Sequence, residues 1–194
     1  MQQIQCDECG QRTPGYDRVN YGSIDRGYRT LCSACFNAEV AKLSDQAEFE
    51  HLQFEPVVMT DISGGVHQFH FRTRLSGAHV VLDAFELRGE HPSGYRFRVI
   101  GDPEDDVMAL LGKWIGKMRR ALSIKHIEDG AFGLHIADHQ IVRGMIEWDA
   151  ASDGRVPLLL IDGREMTWEQ LGRMLMSFEG WQFKLEIRDS SEEL

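Results

Sequence analysis

The spacing of apolar residues changes several times along the chain, and each change marks an element. Tyr16 to Tyr21 and Tyr28 to Leu31 read as two short strands around Gly22-Ser23-Ile24-Asp25-Arg26-Gly27. Phe36, Val40 and Leu43 then recur at helical spacing, and Pro56 prevents simple continuation, so a boundary falls near residues 50–56. From Val66 the period drops to two. His67, Phe69, Phe71 and Thr73 alternate with Gln68, His70, Arg72 and Arg74. Ser76-Gly77 turns the chain into Ala78 to Leu87, and Tyr95, Phe97 and Val99 alternate with Arg96 and Arg98, which predicts three adjacent antiparallel strands.

Helical spacing returns after Gly101. Asp102 reads as the N-cap, Pro103 as the first helical residue, and Glu104-Asp105 as acids over the positive end of the dipole. Val107, Leu110, Leu111, Trp114, Ile115, Met118 and Leu122 form one broad apolar stripe. Ser123 to Ile127 then predicts a strand, Gly133 to Trp148 a hairpin turning near Asp138-His139, and Val156 to Ile161 a further strand. Thr167-Trp168-Glu169-Gln170 is a capping box, with Trp168, Leu171, Leu175 and Phe178 as the expected buried side of a second helix. After Gly180, Trp181, Phe183, Leu185 and Ile187 alternate along a predicted final strand.

These elements predict an α+β fold: a small amino-terminal module, then a mostly antiparallel sheet with two amphipathic helices. The expected divisions are a module over 1–50, a linker over 51–65, a body over 66–188 and an acidic tail over 189–194. With 42% hydrophobic residues, 27% charged residues and a net charge of −10, the composition is that of a soluble globular protein. The balance disfavours an extensive phosphate-binding surface without excluding a local one. Met1-Gln2-Gln3-Ile4-Gln5-Cys6 does not read as a secretory signal, and no apolar run approaches a membrane span.

The most specific chemistry lies in Cys6-Asp7-Glu8-Cys9 and Cys32-Ser33-Ala34-Cys35, the only cysteines of the chain. Each pair leaves two residues between its thiols, so one tight turn can offer both sulfurs to a single tetrahedral ion. The twenty-two intervening residues suffice for a hairpin that closes the site. Disulfides within the pairs would leave their separation unexplained. Cys6, Cys9, Cys32 and Cys35 are therefore the expected ligands of one structural Zn²⁺, in a reducing cytoplasm. Knuckle, hairpin and a second ligand pair at a helix start resemble the treble-clef class of zinc fingers over about the first 50 residues.

Between the pairs, Arg12, Arg18, Arg26 and Arg29 interleave with Tyr16, Tyr21 and Tyr28, opposed only by Asp17 and Asp25. Such a hairpin could grip phosphates and stack bases, or its tyrosines could pack over the metal core while its arginines stay solvated. On the long helix, Gly112 and Gly116 fall opposite the apolar stripe. They form a candidate face for close approach by a second subunit, the zinc module or another protein. The eight histidines form no HExxH pattern, and His67 and His70 have opposite strand parity. Glu104-Asp105-Asp106 reads first as helix-start acids. No phosphate loop, nucleophile elbow or dinucleotide fingerprint occurs, so no residue is assigned a catalytic role and an enzyme is unsupported.

The run from Asp162-Gly163-Arg164-Glu165 through Trp168-Glu169-Gln170-Leu171-Gly172-Arg173-Met174-Leu175, followed by Phe178-Glu179-Gly180-Trp181-Gln182-Phe183-Lys184-Leu185, resembles uncharacterised bacterial proteins with an amino-terminal four-cysteine finger and an α+β body. That resemblance implies no activity. The expectation is a cytoplasmic, zinc-stabilised adaptor or accessory protein whose partner is another protein or a second copy. A nucleic-acid-binding or regulatory protein using the Arg/Tyr hairpin is the alternative, with an enzyme sited on the body third.

Overall fold

The computed structural model describes residues 3–25, 27–44, 46, 49–189 and 192; the Val107 side chain also lies outside the described set. In the amino-terminal module, β1 (Gln3–Gln5) pairs with β2 (Arg12–Pro14) across the first cysteine pair. A 3-10 turn, Gly15–Asp17, leads into β3 (Arg18–Ser23), which pairs antiparallel with β4 (Gly27–Cys32). Tyr16 and Asp17, expected in the strand, lie in that turn instead. The Asp17 carboxylate accepts a bond from Thr13 Oγ1 at 2.8 Å and another from Ser33 Oγ, which holds the turn against the start of the next helix. That helix, α1 (Ser33–Leu43), begins directly after Cys32.

A four-stranded antiparallel meander follows. It consists of β5 (Val57–Thr60), β6 (Val66–Ser76), β7 (His79–Arg88) and β8 (His91–Gly101), in that spatial order. The alternation from residue 66 to residue 99 put these strands in view, except β5, which lies inside the span expected to be a linker. One face of the sheet carries Phe69, Leu82, Ala84, Phe97 and Val99, and it is covered by α2 (Val107–Leu122). Leu110, Trp114, Met118 and Leu122 recur every four residues along α2 and are all buried, with Leu111 and Ile115 at the margin. Trp114, at 0% exposure, meets Phe71 and Phe69 at ring-centroid distances of 4.5 and 6.4 Å.

The helix starts four residues later than the proline suggested. Asp106 is the N-cap and its carboxylate accepts from the Met108 N–H at 2.9 Å. Asp102 and Asp105 instead bond each other's backbone in a preceding turn, with Asp102 N–H to Asp105 Oδ2 and Asp105 N–H to the Asp102 carbonyl, both at 3.0 Å. Proline fixes one φ angle; the cap goes to the carboxylate that reaches an unpaired N–H.

The remainder does not extend that sheet. β9 (Ile127–Gly130) and β10 (Gly133–Ile136) form a hairpin, and β11 (Met145–Trp148), β12 (Pro157–Ile161) and β13 (Arg164–Thr167) form a separate three-stranded sheet. The expected hairpin from Gly133 to Trp148 is thus replaced by two pairings: β10 returns to β9 and β11 to β12. α3 (Trp168–Leu175) has the predicted capping box, but its buried residue is Met174. Leu171 and Phe178 pack beside it on Ile127, Ile136, Leu159, Ile161 and Met166. Trp168 and Leu175 are 48% and 46% exposed, because the helix turns residues 171, 174 and 178 inward. The expected final strand, residues 181–187, joins no sheet among the described residues. Alternation specifies one apolar face; it does not supply a partner. No described helix is long and apolar enough to cross a membrane.

The amino-terminal module is fastened to the sheet at one edge. β5 pairs only with residues 66–69 of β6, which leaves the rest of that edge open. The buried Asn37 of α1 fills it like a short piece of strand. Its Nδ2 donates to the Thr73 carbonyl and its Oδ1 accepts from the Leu75 N–H, each at 2.9 Å. Ala41 and Val40 of the same helix pack on Leu75 and Val80. Tyr16 stacks edge-on against Phe85 at 5.4 Å, and its carbonyl accepts from Arg72 Nη1 at 3.0 Å. Replacing Asn37 by alanine orphans a buried donor and acceptor. It is expected to cost about 1–3 kcal/mol in urea unfolding and to speed hydrogen exchange at the Leu75 amide.

Candidate metal centre

The two cysteine pairs converge. One sulfur from each of Cys6, Cys9, Cys32 and Cys35 lies within 4.8 Å of every other. The first pair sits on a knuckle closed by Cys6 N–H to the Gln11 carbonyl at 3.0 Å and Gly10 N–H to the Cys6 carbonyl at 2.9 Å. Gly10 adopts φ +69°, which a side chain would disfavour. Asp7 ties the knuckle to β4: its N–H donates to the Thr30 carbonyl at 2.8 Å, and its carboxylate accepts from the Thr30 N–H at 2.6 Å. The second pair opens α1, where Cys32 is the N-cap and its sulfur accepts from the Cys35 N–H at 3.5 Å. The Cys32 N–H in turn points at Cys6 Sγ, at 3.4 Å. Leu31, Tyr21 and Phe36 pack over the group, so Cys6 and Cys32 are buried while Cys9 is exposed.

The electrostatics of this pocket suit a cation. Burial pushes the Cys6 thiol up, but N–H groups of Cys9, Cys32 and Glu8 together outweigh it and bring it down to about 6. Burial, followed by bonding with its neighbouring thiols, drives Cys35 up, and burial also raises Cys32. The Cys6 thiolate is favoured, and Cys32 and Cys35 resist ionising beside it. A positive ion among the four sulfurs removes that conflict, and the donor set fits a metal that prefers sulfur in a closed four-coordinate shell.

The Arg/Tyr set does not form one surface. Tyr21 meets Phe36 edge-on at 5.6 Å and Tyr16 lies against the body, whereas Tyr28 is 66% exposed. Arg29 is engaged by Glu8 at 3.0 Å and Glu39 at 3.8 Å. Arg12 and Arg18 are exposed; Arg26 lies outside the described residues. On α2, a Cβ at Gly112 would meet nothing within 4 Å among the described residues, and one at Gly116 only the Arg120 guanidinium at 3.4 Å. The amino-terminal module therefore docks on β6 and leaves this glycine face open.

A second cluster escaped the sequence reading. His67 Nε2 faces Asp61 at 3.1 Å and its Nδ1 faces Glu86 at 2.8 Å. Lys125 Nζ reaches Asp61 at 2.6 Å and the Tyr95 hydroxyl at 3.4 Å. The other Asp61 oxygen accepts from Ser63 and Gly65 N–H, each at 2.8 Å, and the other Glu86 oxygen from the Tyr95 N–H at 2.7 Å. All four carboxylate oxygens are thus engaged, and the knot joins the β5–β6 turn, three strands and the segment leading to β9. A Cβ at Gly65 would sit 2.9 Å from the Asp61 carboxylate, which explains the glycine. Strand parity separates His67 from His70, but parity carries no information about Asp61 or Lys125, which lie outside the strands. The opposite face of the sheet has a similar knot. There Asp83 takes Arg98 at 2.7 Å, Arg74 at 2.8 Å and Arg72 at 3.4 Å.

Three successive segments match known domain families. Residues 5–45 are similar to a domain of unknown function (DUF7685), residues 50–123 to a second (DUF7686) and residues 126–192 to a third (DUF7713). No curated protein and no solved structure matches the chain.

Lys125 first, and then His67, holds the Asp61 carboxyl below the usual carboxylate range despite burial. A depressed folded-state value means stability that is present at neutral pH and is lost as the pH falls. Asp61→Asn is expected to cost about 1–3 kcal/mol at pH 7. The gap from the parent protein should narrow progressively below about pH 4 in urea titrations, as the parent loses the same charge.

Proposed function

We propose that the chain is a zinc-stabilised interaction protein of the reducing cytoplasm, serving as an adaptor or accessory subunit. The observation that carries this reading is the closed set of four sulfurs at the root of α1. Four thiolates without an open position suit a structural Zn²⁺ rather than a hydrolytic one. The metal fixes the knuckle, the β3–β4 hairpin and α1 in a treble-clef arrangement, in a segment too small to fold on burial alone. α1 then carries Asn37 to the edge of β6, so the ion's folding energy reaches the body of the protein. With four thiolates and Zn²⁺ the net charge becomes about −12 by simple charge counting, which favours protein partners over phosphate backbones. In the nucleic-acid reading Tyr16 and Tyr21 are taken up by ring contacts and Arg29 by a surface ion pair with Glu8, while Arg12, Arg18 and Tyr28 are exposed.

Elemental analysis of the purified protein is expected to give one zinc per chain, and Cys32→Ser or a strong chelator should remove it. Loss of the metal should abolish hydrogen-exchange protection in β3, β4 and α1 while α2 stays protected. Metal-free protein with oxidised cysteine pairs would overturn the zinc reading. Salt-dependent binding to DNA or RNA, lost in Arg18→Ala and Tyr28→Ala, would put the nucleic-acid reading first.

A further inference from the structure

The face of the sheet that α2 leaves uncovered carries an arginine cluster built around one carboxylate. Asp83 stands mid-way along β7, with Arg72 of β6 and Arg98 of β8 directly opposite it. Arg74 follows Arg72 by two residues and Arg96 precedes Arg98 by two, so all four arginines share the face. One Asp83 oxygen takes Arg98 Nε at 2.7 Å; the other takes Arg74 at 2.8 Å and Arg72 at 3.4 Å. Arg96 is held separately, by Glu147 at 2.8 Å and the Pro92 carbonyl at 3.2 Å. Three guanidiniums therefore share one carboxylate, which leaves that set at +2 in a chain of net charge −10. Asp17 acts on Arg72 from beyond the set, and its own oxygens are taken by Thr13 and Ser33.

The hydrogen bonding of this face is also incomplete. Seven buried side-chain polar atoms have no partner among the described residues, and four of them lie here: Nε of Arg72, Arg74 and Arg96, and Nδ1 of His70. A buried donor without an acceptor is costly, and four orphaned atoms on one face mark a partner that the polypeptide does not supply. Arg72 registers the same excess of charge. Burial, and then the neighbouring Arg74, pulls its guanidinium below the ordinary arginine range against the opposing effect of Asp83. One end of the cluster is closed by Tyr16, whose ring meets those of His70 and Phe85 at 5.4 Å and whose carbonyl holds Arg72 Nη1 at 3.0 Å. The other end is open. The Arg74 and Arg98 side chains are 31% and 42% exposed, against 9% for Asp83, and Arg98 gives Asp83 only its Nε.

We propose that this face binds a phosphate monoester, held between Arg74 and Arg98 with Arg72 and Arg96 behind them. Such a group carries a charge of about −1.5 to −2 at neutral pH, which matches the +2 that Asp83 leaves on its three arginines. Its oxygens accept from planar guanidinium forks, the geometry in which arginine recognises phosphate. A ligand entering at the open end meets the Nη groups first, and a turn of a guanidinium brings an orphaned Nε to the same oxygens. Asp83 does not touch the ligand. It fixes the guanidiniums from below, so the site is ordered before anything binds. A single carboxylate would cancel only half of the excess. Val81 and Ile100 stand opposite Arg74 in succession on the next two strands and offer an apolar floor to the organic part of the ester. The site goes beyond the zinc reading, because no cysteine takes part in it.

Calorimetric titration of the full zinc-loaded chain at low salt tests this, with glycerol 3-phosphate and a phosphoserine hexapeptide as probes and succinate as the carboxylate control. At least one phosphate probe is expected to bind with a Kd below about 1 mM, and succinate about tenfold more weakly or worse. The tighter phosphate probe tells a metabolite-borne from a protein-borne phosphate. Affinity should fall as the pH is lowered from about 7.5 to about 5, because the second phosphate proton returns near pH 6. Arg74→Gln and Arg98→Gln should each weaken binding about tenfold or more, with zinc content as in the parent. Since Arg98 also holds Asp83, a reading without any substitution accompanies them: the Nε–H signals of Arg72, Arg74 and Arg96 in ¹⁵N spectra of the parent should move on titration. No binding of either phosphate probe at about 10 mM would overturn the proposal. So would succinate binding as tightly, stationary Nε–H signals, or parent affinity in Arg74→Gln.

Discussion

The open stretch of the β6 edge is the constraint on which the rest of the structure turns. A strand buried against a helix cannot leave its outer carbonyls and amides unpaired. β5 is too short to cover them, and the solution is a side-chain amide delivered from another part of the chain. That amide is in place only because α1 is in place. α1 in turn starts where two sulfurs must meet two others. The four-cysteine module and the sheet are therefore one mechanical unit, joined through Asn37 and the packing of Ala41 and Val40 on Leu75 and Val80.

What was legible in the sequence follows from how local each rule is. Cysteine spacing is a short-range code, and all four sulfurs converge as the spacing implied. The stripe on α2 is a regular period over sixteen residues, so its buried members were identifiable one by one. Asp102 against Asp106 shows the limit of a cap rule: several acids precede that helix, and only the geometry of the turn selects among them. Pairing partners are less local still. Gly133 to Ile136 could pair forward or back, and the choice depended on where β12 lay. Asn37 carried no signal, because an asparagine on a helix looks exposed until something is known about the strand beside it.

The same limit hid the ionic knots. Arg72, Arg74 and Arg98 alternate in sequence with the apolar positions of their strands, and they converge on the buried Asp83 from two neighbouring strands. Burial pushes that carboxyl up, but the arginines, Arg98 foremost, hold it below its usual range. Asp61 is held in the same sense by Lys125 on the other face. An acidic protein thus spends several of its 21 basic residues on internal carboxylates, and the excess negative charge is left at the surface.

The Asn37 contact gives metal loss a further meaning. An amide that substitutes for a neighbouring strand also blocks one. If α1 were released, β6 would present a row of unsatisfied backbone groups flanked by Phe71 and Leu75, a template for strands from other molecules. An ion held by the four sulfurs would thus guard the sheet against growth through structure alone. Oxidation of the cysteines or loss of a bound metal would then be felt as unfolding of the amino-terminal module followed by self-association through β6.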